Sequence, residues 1–385
     1  MKLEAEWLGA PGPQAVMTLL GSAGHAGYFV GGCVRNSLLS VPVSDIDIAT
    51  DARPETVTAL AEAQGFNVVA TGIEHGTVTI LAHDAAFEVT TFRRDVATDG
   101  RRAVVAYSSR IEDDAMRRDF TINALYADAS GAVLDPTGQG LADLAARRWR
   151  FVGRAEDRIT EDYLRILRFF RFHAWYGDPE VGFEANTIAA IAEHRAGLGQ
   201  ISAERIGQEM RKLLAAPDPS PELATMGQTG VLMQVLPGAN GANAAPLIHI
   251  EREIGLAPDP LVRLAALGAE SPADALRLTR AEAKRLGEIR AAIASSDGPG
   301  ALGYQLGAAS GRGVLVLRAA LLSQPVGARD LAQIDQGARA QFPVRAADLP
   351  DTLRGPDIGQ RLRTLESAWI ESGFRLGRDD LLALP

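Results

Sequence analysis

Cysteine is almost absent from this chain. Cys33 is the only one among 385 residues, which excludes an internal disulfide and any zinc site built from a cysteine cluster. No run of about 18 apolar residues occurs, so the sequence offers no membrane-spanning helix. The opening stretch, MKLEAEWLGAPGPQAVMTLL, is acidic early and lacks a basic segment followed by a clean apolar one. It does not read as a signal peptide. These absences favour a cytoplasmic chain with no membrane partner, and nothing indicates a protein partner. Lysine is scarce too: nearly all of the 39 basic residues are Arg, and the formal net charge is −9. An acidic average argues weakly against a nucleic-acid partner. The arginines nevertheless cluster, in TFRRDVATDGRR, in MRRDF and in ARRWRFVGRAEDRITEDYLRILRFFRF. Phosphate binding depends on where charge sits, not on its sum.

Apolar residues make up 46% of the chain, enough for sizeable cores, and the length suits two or three domains. Short β-rich runs between Gly27 and Leu134 (GYFVGG, SDIDIAT, FNVVATG, GTVTILAH, AFEVTTF) read as strands. ARPETVTALAEAQG reads as a helix between two of them, with Pro in its first turn and Gly after its end. From Gly138 the strand signals stop. TEDYLRILRFFRFHAWYG carries Leu164, Leu167, Phe170 and Ala174 at helical spacing, and SAERIGQEMRKLLAA carries Ile206, Met210 and Leu213 behind an N-cap candidate, Ser202. APDPSPE and GANGANAAP read as breaks. The expected class is α+β: a mixed-sheet head over 1–137, a helical neck over 138–216, and a helical body and tail over 217–385.

The stretch VGGCVRNSLLSVPVSDIDIAT concentrates the chemistry. Alternation along a strand puts Asp45 and Asp47 on one face and Ile46 and Ile48 in the core. Two adjacent carboxylates call for a cation, and Mg2+ suits a site shared with phosphates. The alternative is a solvent-facing pair on an edge strand. Gly31 and Gly32 follow a strand and precede a short helix, which lets backbone approach a phosphate; the alternative is a tight turn. Arg35 could meet a phosphate oxygen or a carboxylate. In order along the chain, these features describe a nucleoside triphosphate held by metal and backbone donors. Glu88, on a strand expected beside the Asp pair, is a candidate third carboxylate or an exposed strand residue. His75 reads as structural. A metal dyad at His83–Asp84 is rejected, because no other His/Asp elements stand at suitable positions.

The signature GGCVRN…SDIDIAT resembles that of the class II CCA tRNA nucleotidyltransferase and bacterial poly(A) polymerase family, within the DNA polymerase β-like nucleotidyltransferase superfamily. Further stretches are similar in the same order: RRDFTINAL, DPTGQGLADL, FVGRAEDRITEDYLRILRFFRF, ISAERIGQEMRKLL and LRGPDIGQRLRTLESAWIESGF. The resemblance implies that Arg117, Arg118 and Asp119 serve the sugar and phosphates of the incoming nucleotide, with Asn123 as a helper or a structural hydrogen bonder; the alternative is a charged turn before a β-rich FTINALYA. It implies that Asp162 and Arg165 read the base. Three apart on a helix, these two would share a face and match the amino group and ring acceptor of C and A; the alternative is a surface ion pair. Arg168, Arg171, Arg205 and Arg211 are candidates for RNA contact, or else a solvated helix face.

The implied activity is Mg2+-dependent addition of CCA to the 3′ end of tRNA from CTP and ATP. TGIEHGTVTIL is more similar to the CCA type than to the more basic poly(A) type. RRDVATDGRRAVVAYSSRIEDD reads as a full-length flexible loop, which favours enzymes able to add the final A. A poly(A) polymerase or A-adding specialist is the alternative, and a catalytically silent RNA-binding relative another. One departure stands out: the family's VRD is VRN here, with Asn36 in place of the acid.

Overall fold

The computed structural model describes residues 1–72, 76–99, 102–350 and 352–385. His75 lies outside them, as do Gly100 and Arg101 of the expected loop. The chain divides into two compact units, one formed by 1–206 with 228–234, the other by 207–227 with 235–385.

The first unit holds all the strands among the described residues. They are β1 (Gly27–Val30), β2 (Asp47–Thr50), β3 (Asn67–Gly72), β4 (Thr77–Ala82), β5 (Ala85–Thr91), β6 (Arg93–Asp99), β7 (Arg102–Tyr107), β8 (Tyr126–Ala127) and β9 (Val133–Leu134). Seven form one mixed sheet in the order β3-β4-β5-β2-β1-β8-β9, and β6 pairs only with β7. Thus RRDVATDGRRAVVAY, expected as a loop, is an antiparallel ribbon where it is described, as the β-branched run after Arg102 favours. The segment FTINALYA holds little strand. Thr121–Ala124 is a 3-10 turn, and only Tyr126–Ala127 pairs as strand.

The central strands are short and buried, with Phe29, Ile48, Ile80 and Val89 almost fully shielded. Strand β1 lies antiparallel to β2 with Val30 opposite Asp47, and β2 lies parallel to β5 with Asp47 beside Glu88. His83 and Asp84 both take positive φ, 48° and 61°, in the two-residue turn joining β4 to β5. That is a hairpin turn.

Helices α1 (Pro11–Ser22), α2 (Gly32–Leu38) and α3 (Pro54–Ala63) interleave with the first strands, and α4 (Ile111–Met116) follows the ribbon. Then come α5 (Gly140–Ala145), α6 (Ala155–Glu161), α7 (Leu164–Tyr176), α8 (Ala185–His194) and α9 (Ala203–Leu214). Helix α7 buries Leu164, Leu167, Phe169, Phe170 and Phe172. Phe120 from the head meets Trp149, Phe151, Phe169 and Phe172 at centroid distances of 5.5, 4.9, 6.2 and 5.6 Å. Such ring pairs add about 0.5–1.5 kcal/mol each beyond area burial.

The second unit is helical. Val344, Leu365, Trp369 and Leu381 form one of its cores. Helices Pro299–Leu322 and Ala328–Arg339 approach through glycine: a Cβ on Gly337 would sit 2.0 Å from the Gly300 carbonyl oxygen. Among the described residues no helix is long and apolar enough to cross a membrane.

Candidate active site

A cleft of about 440 Å3 opens in the first unit where β1, β2 and α2 meet α7. Its lining includes Asp45, Asp47, Gly31, Gly32, Arg35, Arg118, Asp119, Asn123, Arg168 and Arg171. Ten of the residues singled out from sequence therefore meet in one place. Glu88, Arg117, Asp162, Arg165, Arg205 and Arg211 are not among its lining residues.

The acid wall differs from expectation in one respect. Strand β2 begins at Asp47, so Asp45 lies in the preceding loop, exposed, where Ser44 Oγ donates to it at 3.0 Å. The ladder with β1 ends at Val30–Asp47 because the chain turns away at Gly31. The two carboxylates share the cleft without sharing a strand. Glu88 is the parallel neighbour of Asp47 and is exposed. Burial and then the Glu88 charge push the Asp47 carboxyl up to about 6, with Asp45 adding to the effect and Arg118 opposing it. Carboxylates crowded at a cleft wall fit a hard divalent cation that phosphates also ligate.

The turn is built on Gly31, whose φ of +74° and ψ of −120° suit glycine. Its N–H donates to Leu125 O at 3.2 Å, so this amide serves the sheet rather than a ligand. Arg35 follows in α2 and is only 5% exposed. It donates through Nε and Nη2 to Asn36 Oδ1 at 3.0 and 2.8 Å, and through Nη1 to Asn123 Oδ1 at 2.5 Å. Its guanidinium stands 4.4 Å from the Tyr176 ring centroid and 5.1 Å from that of Phe172.

Asp119 was expected to face a ribose. Instead Oδ1 accepts from Phe120 N at 2.9 Å and Asn123 Nδ2 at 3.0 Å, while Oδ2 accepts from Arg168 Nε at 2.8 Å and Nη2 at 2.6 Å. Both oxygens are saturated by protein donors. Burial alone would raise this carboxyl, but Arg168 and Asn123 hold it at about 2. Arg168, one third exposed in the cleft lining, thus brackets Asp119. Arg171 caps the Phe172 ring at 3.8 Å beside it.

Arg118 is organised by two residues that sequence reading passed over. It donates to Asp114 Oδ2 through Nη2 at 2.9 Å and to Tyr126 Oη through Nε at 3.0 Å, and Tyr126 Oη donates to the same Asp114 oxygen at 2.7 Å. Burial pushes the Tyr126 hydroxyl upward, away from ionisation at neutral pH. Arg117 also leans on Asp114, at 3.8 Å. An acid one helical turn before an Arg pair was the available signal.

The Asp162–Arg165 face does not form. Helix α6 ends at Glu161, and Asp162 is extended at φ −154°, ψ 103°. Its carboxylate accepts from Leu164 N at 3.1 Å and from Arg205 Nη2 at 2.7 Å. Arg165 turns instead to Glu161 Oε2 at 2.5 Å and to the Arg117 carbonyl at 3.2 Å. In the second unit, Arg211 Nε lies 3.9 Å from Glu282.

Residues 27–150 match the poly A polymerase head domain, and residues 182–242 match a domain described as the probable RNA and SrmB-binding site of polymerase A. The mouse protein named CCA tRNA nucleotidyltransferase 1, mitochondrial, is 33% identical over all of this chain and 92% of its own length. A CCA-adding enzyme of Streptococcus pyogenes is 46% identical over 205 residues, 52% of this chain and 49% of that protein. The crystal structure of the Bacillus stearothermophilus CCA-adding enzyme in complex with CTP is 30% identical, with a TM-score of 0.74 over 94% of this chain and 92% of that one. Head match, full-length likeness and shared architecture agree: the chain belongs to the family of CCA-adding tRNA nucleotidyltransferases that share the poly(A) polymerase head domain.

Proposed function

We propose that this protein adds C, C and A to the 3′ end of tRNA from CTP and ATP, without a template, releasing pyrophosphate at each step. The observation that carries this reading is that Asp45 and Asp47 line one cleft together with Arg35, Arg118, Arg168 and Arg171. The CTP bound to the Bacillus stearothermophilus structure supports the substrate class, and the mouse relative's name supports tRNA as acceptor.

Asp45 and Asp47 are the residues that would hold Mg2+. When bound, the ion lowers the pKa of the RNA 3′-hydroxyl and neutralises the leaving pyrophosphate. Arg35, backed by Tyr176, presents a fixed positive charge to the triphosphate. Arg118, locked by Asp114 and Tyr126, lines the same cleft. Glu88 acts through Asp47, whose charge it opposes until a cation is present. Base selection is assigned to Asp162 and Arg165, each of which exchanges its present partner, Arg205 or Glu161, for a base edge. We assign the head to catalysis and the helical segments after 137 to base selection and tRNA binding.

The test is transfer from labelled CTP and ATP, with Mg2+, to tRNA lacking CCA, CA or A. Addition that stops after CCA is expected. A long A tail on unrelated RNA would favour the poly(A) alternative and overturn this reading.

A further inference from the structure

Arg35 is a buried guanidinium without an ion pair among the described residues. Asn36 and Asn123 accept its hydrogen bonds, Tyr176 and Phe172 flank it, and Asp119 lies one residue further out, behind Asn123. Asn36 is held from its other end as well: Nδ2 donates to the Pro42 carbonyl at 2.8 Å. An arginine only donates and a carbonyl only accepts, so the amide can point just one way. The surroundings therefore select an amide. A carboxylate here would still accept from Arg35, but its second oxygen would face the Pro42 carbonyl, acceptor against acceptor. It would also set a negative charge against Arg35 at hydrogen-bond distance.

We propose that Asn36 is a positioning residue whose neutrality sets how tightly the cleft holds the nucleotide's phosphates: it aims Arg35 without cancelling its charge. The inference rests on the nucleotidyltransferase reading and deepens it. Met by the Asp119 carboxylate only through Asn123, and by no carboxylate in direct contact, Arg35 keeps much of its field for a triphosphate or pyrophosphate in the cleft. Paired with a carboxylate, it would keep its direction and lose much of that field.

Two substitutions separate aim from charge. Asn36→Ala frees the guanidinium but leaves its charge; Asn36→Asp keeps the aim and cancels the charge. Calorimetric titration with inorganic pyrophosphate and with CTP should rank affinities as unsubstituted protein, then Asn36→Ala, then Asn36→Asp. The drop is about threefold for Ala and about tenfold for Asp. KM for CTP should rise in the same order, while affinity for tRNA, which presents backbone phosphates instead, stays within about twofold. A role in aiming Arg35 alone would give the opposite rank, because Asp preserves that bond; the clash with the Pro42 carbonyl reads out separately, as a lower melting temperature at unchanged pyrophosphate affinity. Asn36→Asp binding pyrophosphate as tightly as Asn36→Ala, or weakening tRNA instead of pyrophosphate, would overturn the proposal. If Asn36→Asp fails to fold, as judged by circular dichroism, the Ala variant decides: a loss beyond about tenfold means that aim rather than charge governs. An unsubstituted protein that binds neither pyrophosphate nor CTP would overturn the enzymatic reading itself, and this inference with it.

Discussion

Replacing Asp119 by Asn tests the interior of the cleft most directly. The side chain keeps its shape and loses its charge. Asp119 accepts from Phe120 N, Asn123 Nδ2 and twice from Arg168; an amide can satisfy one side only, and its NH2 must face a donor on the other. The carboxyl's depression from 3.8 to about 2 corresponds to about 2 kcal/mol at ~1.36 kcal/mol per unit. Stranding a buried charge costs about 3–5 kcal/mol, but Arg168 is 32% exposed, so the lower end applies. We expect a loss of about 2–3 kcal/mol in urea unfolding, or roughly 5–10 °C in melting temperature for a unit of this size. The pH dependence has a definite sign. The folded-state pKa is depressed, so the stabilisation is complete above the unfolded value near 4 and fades as pH falls toward about 2. The gap between the two proteins should therefore narrow in that window and stay constant above it. A change below about 0.5 kcal/mol at pH 7, or a gap that widens on acidification, would refute the bracket. The substitution also bears on the ribose role: with all its acceptor sites taken, Asp119 leaves the CTP-to-dCTP preference unchanged within about threefold, and a collapse of that preference would restore a sugar contact.

Other outcomes follow from the same geometry. Asp47→Ala and Asp45→Ala should each abolish nucleotide transfer while leaving tRNA binding intact in a gel-shift assay; retained transfer would remove them from the chemistry. Gly31→Ala places a side chain at φ +74°, with its Cβ 3.5 Å from Arg118 Nη1, and should cost about 1–3 kcal/mol in thermal unfolding. A double-mutant cycle on Asp162 and Arg205, both about 30% exposed, should give a coupling of about 1 kcal/mol or less; the same cycle on Asp162 and Arg165 should give none in the free protein.

The elements nearest the chemistry were legible because strand and turn signals are local. Gly31-Gly32 between a strand and a helix was readable from composition, and so was the proximity of Glu88 to the Asp pair. Asp45 was misplaced because alternation assumes a partner strand, and β1 supplies none beyond Asp47. The supposed Asp162–Arg165 face failed because helical spacing was projected through a break. The Asp162 carboxylate, accepting from Leu164 N two residues on, marks that break, as a short acid before a helix often does. The brackets were beyond local reading. Arg35 meets Asn123 from 88 residues away and Asp119 meets Arg168 from 49, distances that only the packed fold closes.

The aromatic stack at Phe120 bears on how this protein can be dissected. Composition changes character at Gly138, an inviting place to cut. Yet Phe120 is fully buried against rings contributed by residues 149 to 172, and Arg35 rests on Tyr176. A fragment ending at 137 would expose that apolar face to water and leave its phosphate-facing arginine unsupported. Head and neck should therefore melt in a single transition, and two separately expressed halves should regain activity only on mixing. Recombination between relatives would be tolerated better just after Val235, where a helix ends and the chain leaves the first unit for the last time, than at the seam visible in the sequence.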